Sequence, residues 1–234
     1  PHFMLKEIFE QPVTVENAVR GRLNPEEASA QLGGLNMTPA QLRDIDRVIV
    51  LGCGTALHAG MIGAHMLENM AFVAAEADFA SEFRFKNRPL QRNTVFFAVS
   101  QSGETADTLG AMREARCKGF RALGICNNVG STIARESDGG VYMHAGPEIG
   151  VAATKSFVSQ TAIFGLLTLC LGRMRHMSAS TGREIIQAYE KLPGQIIRIL
   201  QQSSHIAGIA QKYSHAHSML FLGRQYNYPV ALEA

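Results

Sequence analysis

Thr94-Val95-Phe96-Phe97-Ala98-Val99 runs straight into Ser100-Gln101-Ser102-Gly103-Glu104-Thr105, and a helical pattern continues from Ala106 to Lys118. An unbroken apolar run of this length, rich in Val and Phe, predicts a strand buried on both faces. Strand, small polar turn and helix make the repeating unit of an open α/β sheet. Such a turn presents backbone N–H groups, and the helix start adds a partial positive charge, so together they suit an anion. Ser100, Ser102 and Thr105 contribute hydroxyls and Gln101 an amide. The turn holds no Lys or Arg, which favours a phosphate held by neutral donors. The same residues also read as a helix cap, with Ser102 capping and Thr105 starting the helix. Locally, both readings stand.

Outward from this stretch the layout recurs. Arg47-Val48-Ile49-Val50-Leu51-Gly52 is a second buried strand, followed by Cys53-Gly54-Thr55 and a helix from Ala56 to about Met70. Gly52 and Gly54 match part of a dinucleotide fingerprint, but Leu57 stands where its third glycine belongs and no closing acid follows. Phe72 to Ala77 is a short strand and Asp78 to Arg84 a helical turn. Arg121 to Cys126 is another strand, then Asn127 to Thr132 turns into a short helix through Glu136. Gly139 to Met143 completes the set as an edge strand. Five strands separated by helical crossovers predict an α/β fold, a doubly wound parallel five-stranded sheet flanked by helices. Ligands of such sheets sit beyond the carboxyl ends of the strands. Gly54-Thr55, Ser100–Thr105 and Asn127–Thr132 all fall there, and that coincidence favours a binding site over caps alone.

The flanks divide the rest. Residues 1–45 read as a helical arm or connector: Met4 to Arg20 has helical spacing interrupted at Pro12, Asn24-Pro25-Glu26-Glu27 suits a helix start, and Gly33-Gly34 a break. Residues 46–172 hold the sheet. Within them, Ala145 to Lys155 is a small, flexible loop able to lie against a ligand. Glu148 and Lys155 are placed to pair with each other. Val158 to Leu171 is greasy but reads as a buried core helix, too short to span a bilayer. Residues 173–217 form a helical bridge, Ser178 to about Gln201 with a break near Pro193, then His205 to Tyr213. Ser218 to Gly223 has the character of Val48 to Gly52, so residues 218–234 read as the start of a second, truncated unit.

Bulk properties exclude several function classes. The chain is 46% hydrophobic and 18% charged with a net charge of +2, an ordinary globular composition with no basic patch for nucleic acid. Cys53, Cys117, Cys126 and Cys170 are scattered without metal spacing, which suits free thiols in a reducing cytoplasm. His215 and His217 lack the company of further ligands, so no metal and no cofactor is expected. No membrane association is expected either.

These residues resemble the isomerase domain of the glutamine–fructose-6-phosphate aminotransferases. The resemblance rests on His2-Phe3-Met4 with Lys6 to Pro12, Cys53-Gly54-Thr55, Ala80-Ser81-Glu82-Phe83, Ser100 to Leu109, Gly146 to Ala152, Leu222-Gly223-Arg224 and Ala231-Leu232-Glu233. It implies sugar-isomerase (SIS) lobes and a substrate-binding set of Thr55, Ser100, Gln101, Ser102, Thr105, Val151 and Ala153. The implied reaction opens fructose 6-phosphate, aminates it with glutamine-derived ammonia and moves a proton from C1 to C2, giving glucosamine 6-phosphate. The family's acid–base Glu, Lys and His match nothing in this chain, so no catalytic residue is assigned, and binding without turnover is expected. The resemblance also implies a homodimer or larger assembly in the parent enzyme. Ala56 and Ala153 stand where the family usually has Ser, and Gln225 and Ala234 where it has Gly. The alternative function is a non-catalytic SIS module that senses sugar phosphates.

Overall fold

The computed structural model describes residues 2–234. The chain opens with helix α1 (Phe3–Val19) and two short paired segments, β1 (Leu23–Asn24) and β2 (Ser29–Ala30), then a 3-10 turn at Gly33–Leu35 and helix α2 (Pro39–Arg43). The central alternation follows: β3 (Arg47–Gly52), α3 (Thr55–Met66), β4 (Ala74–Phe79), α4 (Ala80–Phe83), β5 (Thr94–Ser100), α5 (Ala106–Cys117), β6 (Arg121–Cys126), α6 (Thr132–Glu136) and β7 (Gly140–Tyr142). Four helices close the chain: α7 (Lys155–Arg173), α8 (Ala179–Leu200), α9 (Ser203–Lys212) and α10 (Asn227–Glu233).

The five main strands lie in the order β4-β3-β5-β6-β7, all parallel. This is the expected doubly wound sheet. The strand order reverses between β3 and β5, where Val48 pairs with Val95 and Val50 with Phe97. Alternation sorts each strand's side chains. Val48, Val50, Val95, Phe97 and Val99 face one layer with Ile163, Phe164 and Leu167 of α7. Ile49, Leu51, Phe96 and Ala98 face the other, packed on Ala111, Met112 and Ala115 of α5 and Phe83 of α4. Because both faces are covered, both parities are apolar, which is why these strands read as continuous greasy runs.

Helix α7 is apolar on nearly every side because it is covered on nearly every side. Its outer face packs with Ala162, Leu166 and Leu169 against Val19, Ala30 and Ile186. At 19 residues it is long and apolar enough to cross a bilayer, contrary to the expectation from Val158–Leu171, yet most of it is buried inside the protein. Beyond its end, the Arg175 guanidinium donates to the carbonyls of Leu42, Arg43 and Ile45, fastening α2 to the base of the sheet.

Several expectations for the flanks are corrected. Pro12 does not interrupt α1. Proline lacks the N–H that would bond to the carbonyl one turn back, and Gln11 Nε2 takes that place by donating to Ile8 O at 2.8 Å. Pro193 likewise sits inside an unbroken α8. Asn24 to Glu27 is a turn between β1 and β2, closed by Glu27 N–H on Asn24 Oδ1, and not a helix start. Asp78 belongs to β4, which begins after a left-handed Phe72 and runs to Phe79. Ser218–Gly223 joins no sheet. A strand needs a neighbour for its N–H and C=O groups, and no described segment runs beside this one.

At the far edge the 3-10 turn lies directly on β7. A methyl group on Gly34 would overlap the Gly140 carbonyl, and one on Gly140 would overlap that of Gly124. Only glycine permits this approach of three backbone layers.

Candidate functional site

The Ser100–Thr105 turn leaves β5 beside the reversal point of the sheet, where an open α/β fold has its crevice. Its hydroxyls are organised before any ligand arrives. Ser100 Oγ accepts the Gly103 N–H at 3.0 Å and lies 2.8 Å from Thr105 Oγ1 and 3.4 Å from Ser102 Oγ. Ser102 Oγ accepts the Glu104 N–H at 3.1 Å. The turn's carbonyls are tied on its other side, Gln101 O to Asn127 N, Ser102 O to Asn128 Nδ2 and Gly103 O to Ile133 N. With its carbonyls anchored to the β6 loop, the turn offers its hydroxyls to the opposite side.

The capping reading of this turn is not what forms. Thr105 is the N-cap of α5 and makes no side-chain cap hydrogen bond, and Ser102 serves the turn itself. Gly54, not Thr55, is the N-cap of α3, again without a side-chain cap. Side-chain caps occur elsewhere in the fold, a capping box of Thr38 and Gln41 on α2 and Ser178 on α8, while α1, α6 and α9 lack one as well. The first-turn N–H groups of α3 and α5 thus have no side chain covering them, beside the same crevice.

One cavity of about 310 Å³ gathers the predicted residues. Thr55, Ser100, Gln101, Ser102, Thr105, Val151 and Ala153 all line it, together with Ala56, Cys53, Ser156 and Gln160. No charged side chain lines it. Glu104, the acid in the turn, is drawn away: its Oε1 accepts the Thr132 N–H at 2.7 Å, and bonding to Thr132 holds its carboxyl below the usual range. Of the strand-end segments expected at the site, Asn127–Thr132 does not reach this cavity. It borders a separate hollow with His144 and Pro147, while Asn127 receives the Ala145 N–H and donates to Gly146 O. A larger cavity, about 420 Å³, lies beside β7 and is lined by none of the predicted residues. Its one charged residue, Arg22, already donates to Ala18 O and Tyr142 O.

The loop carrying Val151 and Ala153 is held from the arm. Glu7, 2% exposed, accepts the N–H groups of Ile149 at 2.6 Å and of Gly150 at 3.1 Å. Lys155 does not pair with Glu148 as expected. Lys155 Nζ is 2.6 Å from Glu10 Oε2, while Glu148 Oε1 accepts the Thr154 and Ser156 N–H groups and so caps α7. The N–H groups at a helix start have no acceptor within the helix, and Glu148 supplies one, while Lys155 has Glu10. At the cavity's other rim, Thr55 donates to Glu233 of α10, and the second oxygen of Glu233 lies 2.6 Å from His58 Nδ1.

The family model described as the SIS domain matches residues 41–170, more than half of the chain. The chain belongs to the SIS domain family. Beyond the SIS core, the chain is 45% identical over 232 residues to the glutamine–fructose-6-phosphate aminotransferase (isomerizing) of Chlorobaculum tepidum, covering 99% of this chain and 38% of that enzyme. The chain therefore spans under two fifths of the length of such relatives. Among solved structures, the C-terminal domain of glucosamine-fructose-6-phosphate aminotransferase from Francisella tularensis superposes with a TM-score of 0.92 at 30% identity, over 99% of this chain and 65% of that one. Tagatose-6-phosphate ketose/aldose isomerase of Escherichia coli shares the SIS fold at 16% identity, with a TM-score of 0.69 over 99% of this chain and 62% of that one.

The segments around this cavity are held by partners that no local sequence pattern pointed to. Glu7, Glu10, His58 and Glu233 act across large sequence separations, which no local pattern encodes. Ser156 and Gln160 lie one helical turn apart at the start of α7, but Lys155, Ser159 and Thr161 beside them are polar too, so the sequence does not single them out.

Proposed function

We propose that this chain is the sugar-phosphate-binding part of a glutamine–fructose-6-phosphate aminotransferase, and that by itself it binds hexose 6-phosphates without turning them over. The observation that carries this reading is the convergence of Ser100, Ser102 and Thr105 with Thr55, Val151 and Ala153 on one uncharged cavity at the reversal of the sheet. A phosphate monoester there takes hydrogen bonds from hydroxyls, from Gln101 and from the uncovered start of α5. Its binding energy orients the attached sugar toward Thr55 and the Val151–Ala153 loop.

Proton transfer from C1 to C2 requires a positioned acid–base group. Glu233 and His58 lie at the cavity's rim but are engaged there, Glu233 by Thr55 and by His58. The chain's own contribution is thus anchoring, and chemistry belongs to the longer enzyme. Calorimetric titration of the 234-residue chain tests this. Glucosamine 6-phosphate and fructose 6-phosphate should bind more tightly than inorganic phosphate, and Ser102→Ala should weaken all three. Absence of binding, or unchanged binding by Ser102→Ala, sinks the reading. Loss of a C1 deuterium label from fructose 6-phosphate, with this chain alone, would refute the statement that it does not turn over.

A further inference from the structure

We propose that Ser156 and Gln160, on the first turns of α7, are specificity-determining contacts for the polyhydroxylated part of the ligand, an inference that rests on the sugar-phosphate reading above. Both line the cavity of the phosphate turn, and both are fully enclosed, at 0% and 1% exposure. Neither Ser156 Oγ nor Gln160 Oε1 has a hydrogen-bond partner among the described residues. Buried polar atoms are almost always paired, because an unpaired one loses its water and gains nothing. The two threonines of the same helix are paired by donating one turn back, Thr161 to Phe157 O and Thr168 to Phe164 O. Ser156 Oγ and Gln160 Oε1 make no such bond, and both residues line the space a ligand would fill.

The chemistry of the two groups selects the ligand's end. A serine hydroxyl donates and accepts, and an amide does both through separate atoms. That pair matches sugar alcohols, which also do both, and matches a phosphate oxygen less well because the latter only accepts. The phosphate already has its donors on the turn across the cavity. Position adds to this. Ala56 and Ala153 leave two points of the wall without a hydroxyl, and Ser156 lies three residues beyond Ala153, on the first turn of α7. Ser156 thus supplies polarity to the same wall from a different backbone position. Ser159, one helical neighbour away, is equally buried and equally without a partner but does not line the cavity. It is the internal control.

The test uses the full chain with glucosamine 6-phosphate and inorganic phosphate as probes, by calorimetry and thermal melting. Ser156→Ala and Gln160→Met should each weaken glucosamine 6-phosphate about tenfold and leave inorganic phosphate unchanged. Melting of the ligand-free variants should be unchanged or higher, since an unpaired buried polar group has been removed. Ser159→Ala should bind both probes as the parent does. Equal weakening of both probes, a lowered melting temperature that accounts for the loss, or unchanged sugar-phosphate affinity in both variants overturns the proposal. If Ser102→Ala weakens binding while the two α7 variants do not, this inference fails alone. If the parent chain binds no glucosamine 6-phosphate, the underlying reading fails with it.

Discussion

Lys155 Nζ sits 2.6 Å from Glu10 Oε2, joining the first helix to the start of α7 across 145 positions of sequence. The lysine is 2% exposed, and among the described residues its acidic partner is Glu10. Lys6 approaches Glu10 as well, at 3.1 Å. Hydrogen bonding to Lys155 is the main cause that holds the Glu10 carboxyl below its ordinary value of 4.5.

That pair predicts a pH response with a definite sign. A carboxyl depressed in the folded state stabilises the fold fully above its unfolded pKa and loses that contribution as pH falls through the lower folded value. Melting temperature should therefore be flat with respect to this pair above about pH 4.5 and fall below it. Glu10→Gln should flatten part of that acid limb. An acid limb identical in parent and variant would show that Glu10 contributes nothing to it.

Ser100 and Ser102 should separate when replaced by alanine. Ser100 Oγ holds the turn closed through Gly103 N–H and Thr105 Oγ1, so Ser100→Ala should lower stability by about 1–2 kcal/mol as well as weaken sugar phosphate. Ser102 holds the more exposed Glu104 N–H and has only a long 3.4 Å contact with Ser100 Oγ, so its replacement should act mainly on binding. Chemical denaturation beside calorimetry measures both quantities, and equal stability losses would contradict the distinction.

Gly103 has φ +69°, and a methyl there would overlap the Ser131 hydroxyl and its Cβ. Gly103→Ala therefore faces both backbone strain and a clash that the anchored turn cannot relieve. A loss of about 2–3 kcal/mol is expected, with sugar-phosphate binding abolished at ordinary ligand concentrations. A variant of parental stability would mean that the turn relaxes freely.

Thiol labelling should resolve the four cysteines. Cys117 is exposed and should react first. Burial pushes the Cys126 thiol up to about 12 and that of Cys170 up to about 11, so both should stay unreactive until the protein unfolds. Cys53 is half-buried and lines the site cavity, so glucosamine 6-phosphate should slow its labelling and leave Cys117 unaffected. Equal protection of both, or of neither, would argue against occupation of this cavity.

The sheet was legible from sequence because each central strand is buried on both faces, which leaves no polar parity to blur the run. Val48 to Gly52 and Thr94 to Ser100 show this directly. The residues expected at a site could be grouped from sequence because their hydroxyls lie at the ends of those same strands, and they line one cavity. What stayed hidden depends on distance or on a rescue. Pro12 signals a break, and the signal is overridden by one side-chain amide from Gln11. Lys155 has a plausible partner in Glu148 nearby, but α7 needs that acid for its own start, and the true partner comes from the arm. Ser218 to Gly223 has strand composition, yet composition does not supply a neighbouring strand.

The glycine contact between Gly34 and Gly140 has a consequence for how copies of this chain meet. A bare outer strand is a template on which another chain can continue the ladder, and that is a route to uncontrolled stacking. Here the 3-10 turn is seated on β7, and a larger residue at Gly34 would lift it away. The turn works as a doorstop on that margin of the sheet, so a substitution there would show itself first as precipitation in storage and only later as lost affinity.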